Sequence, residues 1–161
     1  MNMKAEIKRR GSRTVLRRRM AQIQTQVDVI AQRVAKEGER HAQRGAYLNV
    51  YSTVVGQGYL RTRHLFDQIY AVGHGAGGQI SVTVGDYASY ASEVEFGSGP
   101  FALNAAQMEG YLKALAPGKL LTFGRSGQKY LLPGPYIGPA LHLVQYRTQW
   151  EIRDLMRRLW V

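Results

Sequence analysis

From about Ser12 to Arg44 the chain runs without a proline, and Leu16, Met20, Ile23, Val27, Ile30 and Val34 recur at alternating intervals of four and three. That spacing puts all six on one face of a helix. At 1.5 Å per residue such a helix extends roughly 50 Å, further than a small domain can cover with its own body. Part of it is therefore expected to meet another subunit, with packing on the chain's own sheet as the alternative. The seam covers fewer than about three heptads, which makes a freestanding coiled coil marginal.

The same segment carries most of the charge. Residues 1 to 20 hold Lys4, Lys8, Arg9, Arg10, Arg13, Arg17, Arg18 and Arg19 against Glu6, a net +7, which leaves +4 for the other 141 residues. A cationic end on a nearly neutral domain points to a polyanionic neighbour, either nucleic acid or an acidic protein surface; a solvated basic arm is the plain alternative. The 161 residues fit one domain, organised as a basic helical arm over 1–45 and a core over 46–161, and 45% hydrophobic content suffices for a core. There is no membrane-length apolar run, and Ala21-Gln22-Ile23-Gln24-Thr25-Gln26 is too polar for a signal peptide. With no cysteine, thiolate metal sites and sulfur redox chemistry are excluded.

Beyond the long helix, Gly45 is expected to end it, and Ala46 to Gly58 to lead into a short helix over Leu60 to Tyr70, where Leu65, Phe66 and Ile69 have helical spacing. Gly73 to Gly78 reads as a flexible loop before a strand over Gln79 to Gly85, whose alternation and β-branched residues give it one buried face. A third helix is expected over Ala102 to Ala116, closed by Pro117-Gly118. Lys119 to Phe123 and Gln128 to Leu132 flank Gly124 to Gly127 as a β-hairpin. Pro139 opens a last helix to about Leu159, with Leu141, Val144, Thr148, Ile152, Leu155 and Leu159 on one face. The fold class is α+β: a long N-terminal helix and a small antiparallel sheet packed with shorter helices and a C-terminal helix.

The residues that could carry enzyme chemistry are sparse and scattered. Gly73, Gly75 and Gly78 fit G-x-G-x-x-G, but a helix precedes them and a strand follows, the reverse of a phosphate-binding turn. His41, His64, His74 and His142 show no metal-ligand spacing. Glu93 and Glu95 would share one side of a strand and support acid–base work, or lie on a helical turn; such a pair is more often simply exposed. Ser98 lacks a nucleophile-elbow context. No catalytic residue, metal or cofactor is expected.

Three segments then resemble the siphophage tail-component family, the gene-product-10-like proteins of lambdoid coliphages. They are Gly58-Tyr59-Leu60-Arg61-Thr62-Arg63-His64-Leu65; Tyr87-Ala88 with Tyr90-Ala91 and Val94-Glu95-Phe96-Gly97-Ser98-Gly99; and Gly134-Pro135-Tyr136-Ile137-Gly138-Pro139-Ala140-Leu141. Gln57 and Ser98 stand where the family commonly has threonine, and the helix between Phe101 and Pro117 lies where many members have a shorter connection. Apart from the name, Gly97 and Gly99 allow a tight turn with positive φ, and Pro139 presets a first helical turn. The resemblance implies a structural subunit of the virion, a neck, head-to-tail joining or tail-completion protein that forms a ring between connector and tail tube. Its partners would be further copies of itself and neighbouring connector and tail proteins. Lys8, Arg9, Arg10, Arg13, Arg17, Arg18 and Arg19 would then face genomic DNA in the channel or an acidic connector surface. A free nucleic-acid-binding protein using that arm is the competing reading; a nuclease would need clustered acids or histidines that the sequence does not offer.

Overall fold

The computed structural model describes residues 4–52, 62–123 and 132–160, with side chains described from Arg13 to Leu159. The element order is α1 (Lys4–Ala46), a π-helical turn (Tyr47–Tyr51), α2 (His64–Asp67), β1 (Ile69–Ala76), β2 (Gln79–Asp86), α3 (Ala91–Phe96), a 3-10 turn (Gly99–Phe101), α4 (Ala105–Ala114) and α5 (Ile137–Trp160). This is an α+β fold in which one antiparallel hairpin and α5 both pack on the second half of α1.

Along α1 the apolar seam divides in two. Val27, Ile30 and Val34 are buried, whereas Leu16 and Met20 are 45% and 57% exposed and Ile23 is intermediate. Beside Ala31, the buried face continues past Val34 in small residues: Ala35, Gly38, Ala42, Gly45 and Ala46. Small side chains let neighbouring backbones come close. A Cβ on Gly38 would sit 2.6 Å from Val144 of α5. Charge reinforces the α1–α5 contact, since Arg147 donates to both carboxylate oxygens of Glu37 at 2.8 and 3.1 Å, and buried Glu151 lies 3.3 Å from Arg33 and 3.6 Å from Arg147.

The helix also corrects the first expected boundary. Gly45 does not end it; the backbone stays helical through Ala46 and the π-helical turn, because Gly45 is buried where a side chain would strike Tyr136. The expected helix over Leu60 to Tyr70 is also corrected: Leu60 and Arg61 lie outside the described residues, only His64–Asp67 is helical, and Ile69 and Tyr70 begin β1. Gly73 to Ala76, read as a flexible loop, belongs to β1 as well, paired residue by residue with β2 from Ile69↔Asp86 to Ala76↔Gln79. Only Gly77 and Gly78 turn the chain, both at positive φ (58° and 79°), as a two-residue hairpin turn requires. The strand over Gln79 to Gly85 is present and extends to Asp86.

Glycine is needed in β1 because the strand lies directly on α1. A Cβ at Gly73 would fall 2.1 Å from the Ala31 carbonyl oxygen, and one at Gly75 would fall 2.6 Å from the backbone of Val27 and Asp28. The Gly75 N–H, which points out of the ladder, donates to Asp28 Oδ1 at 2.9 Å.

The third helix is shorter than expected, Ala105–Ala114 rather than Ala102–Ala116. Asn104 caps it, accepting from Gln107 N at 2.8 Å while the Gln107 side chain accepts from Asn104 N at 2.9 Å. The expected hairpin around Gly124 is not formed on its first side. Lys119–Phe123 is in no strand, and Asn49 Nδ2 donates to the Leu121 carbonyl at 2.9 Å. The second side lies outside the described residues except Leu132, which is also in no strand. The same Asn49 amide donates to the Pro135 carbonyl at 2.9 Å, so one side chain anchors both segments to the end of α1.

Two glycine substitutions should move stability in opposite directions. Gly73→Ala forces a methyl into the α1 backbone and should cost about 1–3 kcal/mol or more, seen as a fall in Tm. Gly110→Ala, in α4 with open space around the new methyl, should raise stability by about 0.5–1 kcal/mol.

Candidate interaction surfaces

Glu95 organises one end of the molecule. It stands on α3, 6% exposed, and its carboxylate accepts from the backbone N–H groups of Tyr136 (2.8 Å), Ile137 (2.9 Å) and Gly138 (2.7 Å). These are the amides that a helix start leaves without partners, and the negative charge suits the positive end of the helix dipole. The next residue, Pro139, has no N–H to satisfy. So α5 starts at Ile137, two residues earlier than expected from Pro139 alone. Of the two readings left open for Glu93 and Glu95, the helical turn holds: both lie on α3, with Glu93 exposed, while the expectation that the pair is exposed is corrected for Glu95, which is buried. Burial, the largest influence, raises the Glu95 carboxyl above its ordinary value, and the amides of Tyr136, Ile137 and Gly138 pull against that rise.

Around this clamp the second and third resembling segments meet. Tyr136, fully buried, donates its hydroxyl to Asp86 Oδ2 at 2.7 Å, and Asp86 Oδ1 accepts from Ala88 N at 2.7 Å. Burial and the Asp86 carboxylate push the Tyr136 phenol far up, so it remains a donor. Gly134 N donates to the Val94 carbonyl at 2.9 Å. Gly97 and Gly99 have φ of 80° and 69°, as expected of a tight turn, and Leu103 N reaches back to the Phe96 carbonyl at 2.8 Å. Ala88 and Ala140 are buried, while Tyr87 stacks on Tyr70 with ring centroids 4.2 Å apart. Leu141 is 42% exposed. Gly58, Leu60 and Arg61 lie outside the described residues.

The basic arm is helical from Lys4, and Arg13, Arg17 and Arg18 are exposed along it, with Arg19 intermediate. The side chains of Lys8, Arg9 and Arg10 are outside the description. The clamp and the arm thus sit on separate parts of the fold.

Among the described residues no group of three or more His, Asp or Glu is placed to hold a metal ion, and no helix is long and apolar enough to cross a membrane. The histidines are dispersed. His142 Nε2 lies 3.1 Å from the Leu115 carbonyl, His74 is exposed 4.0 Å from Asp28, and the His64 ring lies 6.3 Å from that of Tyr90. His41 differs, being buried on α1 with neither ring nitrogen hydrogen-bonded. Burial is the main cause that lowers its pKa below the usual 6.5; the neighbouring Gly118 backbone opposes the shift and Arg44 adds to it.

A family model described as "Bacteriophage HK97-gp10, putative tail-component" matches residues 6–97. No curated protein and no solved structure matches the chain. The matched span runs from α1 to the Glu-Phe-Gly turn, so it contains Glu95 but not the amides it holds.

Two tests address these groups. Glu95→Gln keeps the size of the side chain but turns an NH2 group toward backbone donors, and should cost about 1–3 kcal/mol in denaturant unfolding; Glu95→Ala should cost more. For His41 the unfolded imidazole binds its proton at a higher pH than the native one. Stability is therefore full above about pH 6.5 and declines as pH falls below it. His41→Leu should flatten the part of the stability–pH curve between pH 7.5 and 5.5 that this residue contributes.

Proposed function

The chain belongs to the HK97-gp10-like family of phage tail components, and from that premise we propose that it is a non-catalytic subunit of the neck or head-proximal tail, assembling as a ring between connector and tail tube. The observation that carries this reading is the division of α1. Its second half is the centre of the fold, whereas its first half presents Val15, Leu16 and Met20 at 50%, 45% and 57% exposure on a helix that continues well beyond the hairpin. Apolar side chains repeated at helical spacing on an otherwise uncovered helix favour a helix-to-surface contact with a neighbour.

A closed ring requires a heterologous interface, in which one face of a subunit meets a different face of the next. The seam Leu16, Met20, Ile23 supplies one of those faces, with Val27, Ile30 and Val34 continuing it into the subunit's own core. The arginines flanking the seam then lie where they meet an acidic connector surface or DNA in the channel. The competing reading, a free DNA-binding protein, draws on those arginines alone.

Because Leu16 and Met20 are exposed, Leu16→Glu with Met20→Glu should leave Tm within a few degrees, the monomer changing by about 0.5 kcal/mol or less per site. The same pair should reduce the native mass measured by light scattering from ring to monomer. A wild-type chain that stays monomeric, binds duplex DNA at low salt and releases it at high salt would favour the DNA-binding reading instead.

A further inference from the structure

Where α1 passes into the π-helical turn, an open groove of about 510 Å³ lies among Arg40, Arg44, Tyr47, Leu48, Phe66 and Leu120. Its floor is apolar, and Tyr47 and Leu48 are 61% and 37% exposed. Arg40 and Arg44 stand one helical turn apart at the rim, both exposed, with no ion-pair partner among the described residues. Outside the groove's lining, Arg63 lies over the Phe66 ring at 4.9 Å from its centroid. Arg63 is the one non-glycine described residue at positive φ, 59°, a conformation disfavoured for a side chain of this kind. Phe66 is itself held, edge-on to Tyr51 at 6.2 Å, with its N–H donating to the Tyr51 hydroxyl at 3.3 Å.

We propose that this groove is a docking site for an acidic segment of another protein, one carrying aliphatic or aromatic anchors with carboxylates about one helical turn apart. The chemistry selects that occupant. Two guanidinium groups, Arg40 and Arg44, beside an apolar floor match a ligand that buries hydrophobic side chains while presenting carboxylates to guanidinium groups, which bind them in bidentate fashion. The chain's own arm is excluded by charge, since Arg13, Arg17 and Arg18 would meet Arg40 and Arg44. Nucleic acid fits less well: Leu48 and Leu120 place aliphatic surface beside the aromatic Tyr47 and Phe66, and Arg40 with Arg44 do not make the continuous cationic track that a strand of stacked bases follows. The site lies apart from the Leu16–Met20 seam, so the inference holds whether or not the subunit closes into a ring.

The test uses the full chain and a fluorescently labelled helical peptide bearing two glutamates four residues apart beside leucine and phenylalanine, followed by anisotropy. Binding in the micromolar range is expected, weakened at least tenfold by Arg40→Glu with Arg44→Glu and several-fold by Tyr47→Ser. Arg17→Glu with Arg18→Glu, which changes the arm by the same charge, should leave it within about twofold. All five altered positions are exposed, and an unchanged thermal melt confirms that the fold survives. Absence of binding overturns the proposal, as does binding lost in the arm variant and kept in the groove variant. A single-stranded oligonucleotide that binds more tightly than the peptide and is lost with Arg40→Glu and Arg44→Glu would replace it with a nucleic-acid site.

Discussion

The close approach of β1 to α1 is the constraint from which the rest of the structure follows. A two-stranded hairpin does not hold itself together in water, so it needs a surface to lie on. Gly73 and Gly75 remove the side chains that would keep it off the helix, and Asp28 accepts the outward N–H of Gly75. With the strand seated, Ile69 and Val84 join Ile30 and Val34 in one core. The opposite flank of α1 accepts α5 over small residues. One helix thus serves as the floor for both strands and α5, which is why its small-residue face matters as much as its apolar seam.

Glu95 fixes the other end. Its carboxylate gathers three amides from a segment about forty residues further along the chain, and Tyr136 in that segment reaches the end of β2 through Asp86. The Glu-Phe-Gly and Tyr-Ile-Gly-Pro-Ala-Leu segments therefore read as two halves of one hydrogen-bonded joint. Their role is architectural: they set where α5 starts and how it lies across α1. The buried carboxylate is satisfied by its own chain's amides, and the same contacts hold the start of α5 in place.

Much of this was legible in the sequence. The long helix, the strand over Gln79 to Gly85, the last helix and the α+β class follow from periodicity and β-branched content. Positive φ at Gly97 and Gly99 was legible from their place after an apolar aromatic residue. β1 was not, because Gly73 and Gly75 look like loop residues until the helix they touch is known; their need for glycine is tertiary. The alternation of Gly-x-Gly with Ile69 and Ala71 was the available signal. Glu95 was misjudged for a similar reason, since its partners are backbone amides that no spacing of side chains reveals. The N-terminal limit of α4 was available in Asn104 and Gln107, three residues apart as a capping box requires. The groove at Arg40 and Arg44 depends on α1 meeting α2 and the Lys119–Phe123 segment, so periodicity alone does not find it.

In the proposed assembly α1 works on both sides of the subunit boundary, as core in its second half and as contact surface in its first. Cryo-electron microscopy of the phage particle that carries this chain tests that most directly. The predicted result is a ring of copies between connector and tail tube, with the Leu16–Ile23 face of each arm buried against the next subunit. Particles in which the chain is absent from that junction, or in which the arm helix stands in solvent with Leu16 and Met20 uncovered, would contradict it.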